Sequence, residues 1–393
     1  MVLVEMRQVY MDYGSASPVD TRVLEAMMPY FDKEIGNPSS PHSSGRKAKR
    51  ELEAARTDVA NLIGAQSPRS IIFTSGATES NNLALRGAAM RYKDKGNHII
   101  TSSVEHMSVM NPLKDIQRSG FDVTHIPVDR DGMVDAERVK DAINEKTVLI
   151  SVQYANGEVG TVQPIKEIGE IASDNRILFH VDGTAACGKI PLNVEEEHID
   201  LLTISSNDMY GPKGVGALYI RQDVRILPLM LGGGQEFGMR SGSENIPGII
   251  GMGRAAKLAS DEMIDEGARL IRLRDQLIDS ILKIEYTYLT GHRTKRLLNN
   301  ASFRFSYIEG ESTILMLSEL GITASTGSAC STKTLEPSHA LIAMGLRHEE
   351  AHGSLRLTLG KYNSQEDVDY VLESTPGIIT KLRALSPLYP AHG

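Results

Sequence analysis

Cysteine is nearly absent: Cys187 and Cys330 are the only two in 393 residues, and they form no CxxC pair. That excludes a disulfide framework and an all-cysteine zinc site, and it points to a reducing, cytoplasmic setting. Long apolar runs are missing too. The longest stretch free of Asp, Glu, Lys and Arg is 13 residues, at 320–332, short of the roughly 18–20 that a membrane span needs. The first apolar residues are interrupted by Glu5, which argues against a signal peptide. No membrane partner is expected. A basic excess is also lacking, since 42 Lys plus Arg face 50 Asp plus Glu for a formal net charge of −8. A phosphate-backbone binder needs a basic surface, so nucleic acid is not the expected partner.

What is present is an ordinary globular balance, 41% apolar and 23% charged, in a chain long enough for two domains. Between about 70 and 220, short apolar runs alternate with helix-like stretches. Strands are expected at 71–74, 98–102, 123–128, 148–154, 177–181, 201–205 and 216–220, with helical stretches such as 46–63 and 139–143 between or before them. Several runs are apolar at successive positions, as in strands covered on both faces. The pattern predicts an α/β domain with a mostly parallel seven-stranded sheet and right-handed crossovers. A charged helical pattern over 258–284 then leads to alternating segments at 300–307 and 354–360, typical of strands exposed on one face. The expected organisation is a large domain over 16–262 and a smaller α+β domain made from 1–15 and 263–393.

Five segments could carry chemistry. Thr74-Ser75-Gly76-Ala77-Thr78-Glu79-Ser80-Asn81 directly follows a strand. Small residues and a helix start there suit an anion cradle, and an ordinary capped turn suits them as well. His180-Val181-Asp182-Gly183 ends another strand. Asp182 therefore stands where open α/β sheets bind ligands or where a helix is capped. Ser205-Ser206-Asn207-Asp208-Met209-Tyr210-Gly211-Pro212-Lys213-Gly214 contains no GxxxxGK[ST] loop and reads alone as a turn. Around Cys330, the run Thr323-Ala324-Ser325-Thr326-Gly327-Ser328-Ala329-Cys330-Ser331-Thr332-Lys333 places a thiol among small polar residues, the setting of an accessible, ionisable cysteine on a mobile loop. Cys187, in Ala185-Ala186-Cys187-Gly188, reads as an inert buried thiol. Finally, His348-Glu349-Glu350-Ala351-His352 matches HExxH, but Gly353 and a strand-like alternation follow at once, and no His sits at the metzincin spacing.

In this order, four of these segments resemble the cysteine desulfurase family, pyridoxal 5′-phosphate (PLP) enzymes that supply sulfur for iron–sulfur cluster assembly. The likeness begins at Tyr10-Met11-Asp12-Tyr13 and Gly36-Asn37-Pro38-Ser39-Ser40 and ends near Leu382-Arg383-Ala384-Leu385. The resemblance implies the PLP fold type I and a homodimer. It implies phosphate binding by Ala77, Thr78, Ser205, Ser206 and, from a second subunit, Ser243. His106 would stack on the pyridine ring, and Asp182 would keep the ring nitrogen protonated. Asn156 matches a family residue near the cofactor. Arg356 matches the grip on the substrate carboxylate, and Cys330 the nucleophile that carries sulfur from L-cysteine to a scaffold protein.

The likeness breaks at the family's Ser-x-His-Lys, whose lysine forms the Schiff base with PLP. Here the residues are Ser205-Ser206-Asn207-Asp208. Asn207 retains a donor for the phosphate, but the Asp208 carboxylate cannot form an imine. Lys213 belongs to a Gly-Pro-Lys-Gly run that the family keeps beside its anchoring lysine. Gly157 and Ala185 replace a family Asn and Gln. The expectation is non-covalent PLP and a sulfur transferase slowed by loss of its acid–base lysine, with Asp208 as a poorer base. The alternative is a non-catalytic docking platform in cluster assembly. There, Cys330 would accept sulfide-derived sulfur or ligate a [2Fe–2S] cluster shared with the scaffold.

Overall fold

The computed structural model describes residues 7–327 and 337–390. After a short strand β1 (Val9–Tyr10), the apolar runs become β2 (Ile71–Thr74), β3 (His98–Ser102), β4 (Asp122–Ile126), β5 (Thr147–Gln153), β6 (Leu178–Asp182), β7 (Leu201–Ser205) and β8 (Gly216–Ile220). These seven form one sheet in the order β2-β8-β7-β6-β5-β3-β4. All run parallel except β8, which pairs antiparallel with β2 and β7. The successive apolar positions are explained by two covered faces. Ile71, Phe73, Ile100, Ile150, Val152, Leu202 and Ile204 enter one core. Their odd-numbered or even-numbered neighbours Ile72, Ile99, Leu149 and Leu201 enter another on the opposite side.

The expected strand ends shift by one or two residues. At β4 the cause is local: Asp129 Oδ1 accepts from the N–H groups of Asp131 and Met133, so Val128 begins a turn instead of extending the strand. The helix expected at 46–63 spans Ser43–Leu62. The one expected at 139–143 spans Ala136–Asp141, capped by Asp135.

The charged helix starts earlier than its charge pattern suggested, running over Ile246–Ile281 from an Asn245 cap. Its first half (Ile249, Met252, Ala256) packs on the large sheet. Its second half (Leu270, Leu277, Ile281) joins a separate core with Val9, Met11, Phe303, Leu357 and Ile379. That core covers β9 (Thr287–Leu289), β10 (Asn300–Phe305), and β12 (Ser354–Thr358), an antiparallel sheet in the order β12-β10-β9, while β11 (Ile322–Thr323) pairs parallel with β1.

One expectation is corrected here. The alternating segments at 300–307 and 354–360 do not expose a face to water: their polar residues Asn300, Ser302, Arg356 and Thr358 are buried. The polar side seals against the loop after β5 instead. Ser302 Oγ donates to the Glu158 carbonyl at 2.6 Å, and Asn300 Nδ2 to the same oxygen at 3.1 Å. Alternation reports two chemically different surroundings, and here the polar one is the other half of the protein.

Candidate active site

Parallel strands bring their carboxyl ends to one sheet edge, where open α/β folds place ligands. The register puts Thr74, Gly216 and Ser205 side by side across β2, β8 and β7. Thr203, Asp182 and Gln153 stand side by side across β7, β6 and β5. The segments picked out in the sequence at 74–81, 180–183 and 205–214 therefore converge.

After β2 the chain turns through Gly76, whose φ of 147° suits glycine, into the helix Ala77–Tyr92. No side chain caps that helix, so its first N–H groups, Ala77 and Thr78 among them, are left for an outside acceptor. A Cβ at Gly76 would meet nothing within 4 Å, whereas one at Gly216 would strike the Gly76 backbone at 2.7 Å. The turn is braced from outside: Ser75 N–H donates to Glu79 at 2.7 Å, and Arg240 Nε donates to the same carboxylate at 2.9 Å. Arg240 lies in the segment that ends at the exposed Ser243.

Asp182 is buried. One of its oxygens accepts from Thr184 N–H at 3.0 Å, the capping role, and the other from Asn81 Nδ2 at 2.8 Å. Asn81 Nδ2 also donates to Ser108 Oγ at 2.8 Å, and Ser108 Oγ lies 2.8 Å from His106 Nδ1. Ser108 N–H donates to that same nitrogen at 3.1 Å, which places the imidazole proton on Nε2. His106 is exposed at the start of the helix Met107–Arg118. A hydrogen-bonded chain thus joins the Asp182 carboxylate to the His106 ring.

Beneath it Glu105 is fully buried, and burial pushes its carboxyl up to about 8 even though Ser102 Oγ and Gln153 N–H donate to one of its oxygens. Asn156 is buried and held by its own turn, accepting from the Glu158 and Val159 N–H groups at 2.9 Å. Side-chain atoms Asn81 Oδ1, Thr184 Oγ1 and Ser206 Oγ are buried with no partner.

The Ser205–Asp208 run follows β7 as a tight turn, with a 3₁₀ helix over Asn207–Met209 and Tyr210 at φ 60°. Tyr210 anchors it, because its hydroxyl accepts from Lys361 N–H at 2.7 Å. Asn207 Oδ1 accepts from Ser17 N–H at 3.4 Å. Asp208 pairs with Lys189, Nζ to Oδ1 3.6 Å, with both side chains largely buried. A Cβ at Gly157 would touch only Ala185, at 3.8 Å, so two of the positions that depart from the resemblance face each other as small residues. Lys213 is exposed.

Arg356, on β12, crosses from the smaller sheet to the site. It donates to Ser15 Oγ at 2.6 Å, Ser325 Oγ at 2.8 Å, Asp12 Oδ1 at 3.2 Å and the Gly157 carbonyl at 3.3 Å. Ser325 belongs to the segment around Cys330, but Cys330 itself lies outside the described residues. The near ends of that segment meet Glu158: Ser338 Oγ donates to Glu158 Oε2 at 2.7 Å, and a Cβ at Gly327 would overlap its other oxygen. Cys187 is buried and its thiol is pushed well up by that burial, as expected of an inert cysteine. His348 and His352 share the one-turn helix His348–His352, both exposed, and among the described residues no cluster of three metal-ligating side chains forms.

Four contributors escaped the sequence reading as functional residues: Asn81, Glu105, Glu158 and Lys189. Asn81 closes the segment that follows β2, and Glu105 directly precedes His106. Lys189 carried no local signal, because its relation to Asp208 spans the whole of β7.

The family model described as aminotransferase class-V matches residues 9–371. The chain is 59% identical over 380 residues to cysteine desulfurase IscS 1 of Archaeoglobus fulgidus, covering 97% of this chain and 99% of that one. It is 51% identical over 389 residues to cysteine desulfurase IscS of Methanosarcina thermophila, covering 99% and 96%. The solved structure of a NifS-like protein superposes with a TM-score of 0.90 at 38% identity, covering 96% of this chain and all of that one.

Proposed function

Because the chain belongs to the cysteine desulfurase family, with its PLP-dependent transferase fold of type I, we propose that it transfers sulfur from L-cysteine to an iron–sulfur scaffold protein. In this reading it is a homodimer that holds PLP without a covalent bond. The observation that carries the proposal is the buried Asp182 carboxylate, wired through Asn81 and Ser108 to His106 beside an uncapped helix start.

These residues fit the cofactor. The Gly76–Thr78 turn offers free space and N–H groups for a phosphate, with Ser205, Ser206, Asn207 and, from a second copy, Ser243 as further donors. The unpartnered Asn81 Oδ1 and Thr184 Oγ1 are polar atoms left over for a ligand. When bound, PLP supplies an electron sink. Asp182 supplies the charge that keeps a pyridine nitrogen protonated, and His106 a ring face. Arg356 supplies a fork for the substrate carboxylate, and Cys330 takes the sulfur as a persulfide. At the turn after β7 the Asp208 carboxylate replaces an amine, so the Cα proton has only a weak acceptor. Losing a positioned acid–base group costs roughly 10²–10⁴ in rate.

Asp208, Gly157 and Ala185 also support a second reading, in which the fold is a docking platform. Cys330 then accepts, as a persulfide, sulfur that a separate two-electron oxidant has raised from sulfide, or ligates a [2Fe–2S] cluster as cargo. Sulfide release from L-cysteine by the PLP-loaded wild type and by Asp208→Lys decides between them. Sulfur transfer predicts slow wild-type release that rises roughly 10²–10⁴-fold in the variant. No release from the wild type, with scaffold loading from added sulfide lost in Cys330→Ser, favours the platform. Equal release by both proteins sinks the account of the missing amine.

A further inference from the structure

We infer that Lys189 is a positioning residue for PLP: its ammonium neutralises Asp208 and thereby lets a phosphate-bearing aldehyde bind without a covalent tether. The inference rests on the PLP reading above and deepens it.

Replacing an amine by Asp208 puts a negative charge where a neutral or cationic group is expected, in a site that already contains Asp182 and must receive a phosphate dianion. Left alone, that charge opposes the ligand. It is not alone. Lys189 Nζ stands 3.6 Å from Asp208 Oδ1, with 14% and 13% of the two side chains exposed, so solvent screens the pair only in part. The ammonium is also steered, donating to the Ala185 carbonyl at 3.3 Å within the turn that begins at Asp182. The buried Cys187 thiol feels Asp182, Lys189 and Asp208 together, which places all three charges in one neighbourhood. In a tethered site an imine bond would hide a modest repulsion. Here binding is reversible, so the charge balance at position 208 is read directly as affinity.

The test is titration of PLP against the purified full-length protein, its Lys189→Gln, Lys189→Arg and Asp208→Asn variants, and the Lys189→Gln/Asp208→Asn double variant. Thermal melts confirm that each is folded. Lys189→Gln is expected to weaken PLP binding about tenfold at low salt, with the penalty shrinking as salt rises. Lys189→Arg keeps the charge and stays within about twofold of wild type. The double variant recovers the lost affinity, because removing the carboxylate removes the need for its partner. A double variant as weak as Lys189→Gln, or a Lys189→Gln protein that binds like wild type, overturns the inference and leaves the proposed function standing. Borohydride trapping that fixes PLP on the Lys189 peptide also overturns it, since the lysine would then be a tether. A wild type that binds no PLP overturns the functional reading itself, and this inference falls with it.

Discussion

At one end of the site Asp182, Asn81, Ser108 and His106 are joined by links of 2.8 Å; at the other, Asp208 meets Lys189 at 3.6 Å, and Lys189 Nζ also donates to the carbonyl of Ala185, the small residue that faces Gly157. The first end is assembled by folding, since Asn81 lies on the helix after β2, Asp182 on β6 and His106 beyond β3. Its geometry is fixed before any ligand arrives, which lowers the ordering cost of binding. The second end has few polar groups aimed at one point. In the proposed function, holding a cofactor and acting on it are separate tasks, the first assigned to the wired end and the second to the Asp208 end.

Asp182→Ala is the largest blow to this contrast. It removes the charge at the centre of the wired end and leaves Asn81 buried with a lost acceptor. PLP affinity, followed by absorbance titration, is expected to fall about a hundredfold. A fall of less than about threefold would mean that the wired end does not hold the cofactor.

Arg356→Lys separates substrate from cofactor. The planar fork of Arg356 spans Ser15, Ser325, Asp12 and the Gly157 carbonyl, and an ammonium cannot reproduce a bidentate contact. Titration of the PLP-loaded protein with L-cysteine is expected to show binding weakened about thirtyfold, with PLP affinity unchanged. If PLP affinity drops in parallel, Arg356 serves the joint between the two sheets and not the substrate.

The strand-end positions were legible in the sequence because each is local. Gly76, Asp182 and Ser205 each close an apolar run, and parallel strands send all such ends to one edge. The connections were not legible. Asn81 reaches Asp182 across 101 residues and Lys189 reaches Asp208 across β7, and no spacing rule encodes such contacts. The polar alternation of Asn300–Phe305 and Ser354–Thr358 misled for a related reason. A polar face seeks hydrogen bonds, and Glu158 and Gly157 carbonyls satisfy it as well as water does. Glu105 carries no sequence signal of its own, yet the strand end turns it inward to full burial.

That burial makes Glu105 the subtlest probe of the wired end. Its ordinary value of 4.5 is pushed up to about 8 by burial. Below the ordinary value both folded and unfolded chains hold the proton, and Glu105 makes stability no different. As pH rises above it the unfolded chain releases the proton while the folded chain keeps it, so stability declines until the folded carboxyl ionises near 8 and then levels. Glu105→Gln keeps a carbonyl to accept from Ser102 Oγ and Gln153 N–H but cannot ionise. Urea unfolding is therefore expected to show the variant gaining on wild type by about 3–4 kcal/mol between pH 5 and pH 8, with PLP affinity at pH 7 unchanged within about twofold. A gap that stays flat over that range would mean that Glu105 is ionised in the folded protein. The wired end would then carry a second negative charge beside Asp182, and the contrast with the Asp208 end would lose its electrostatic basis.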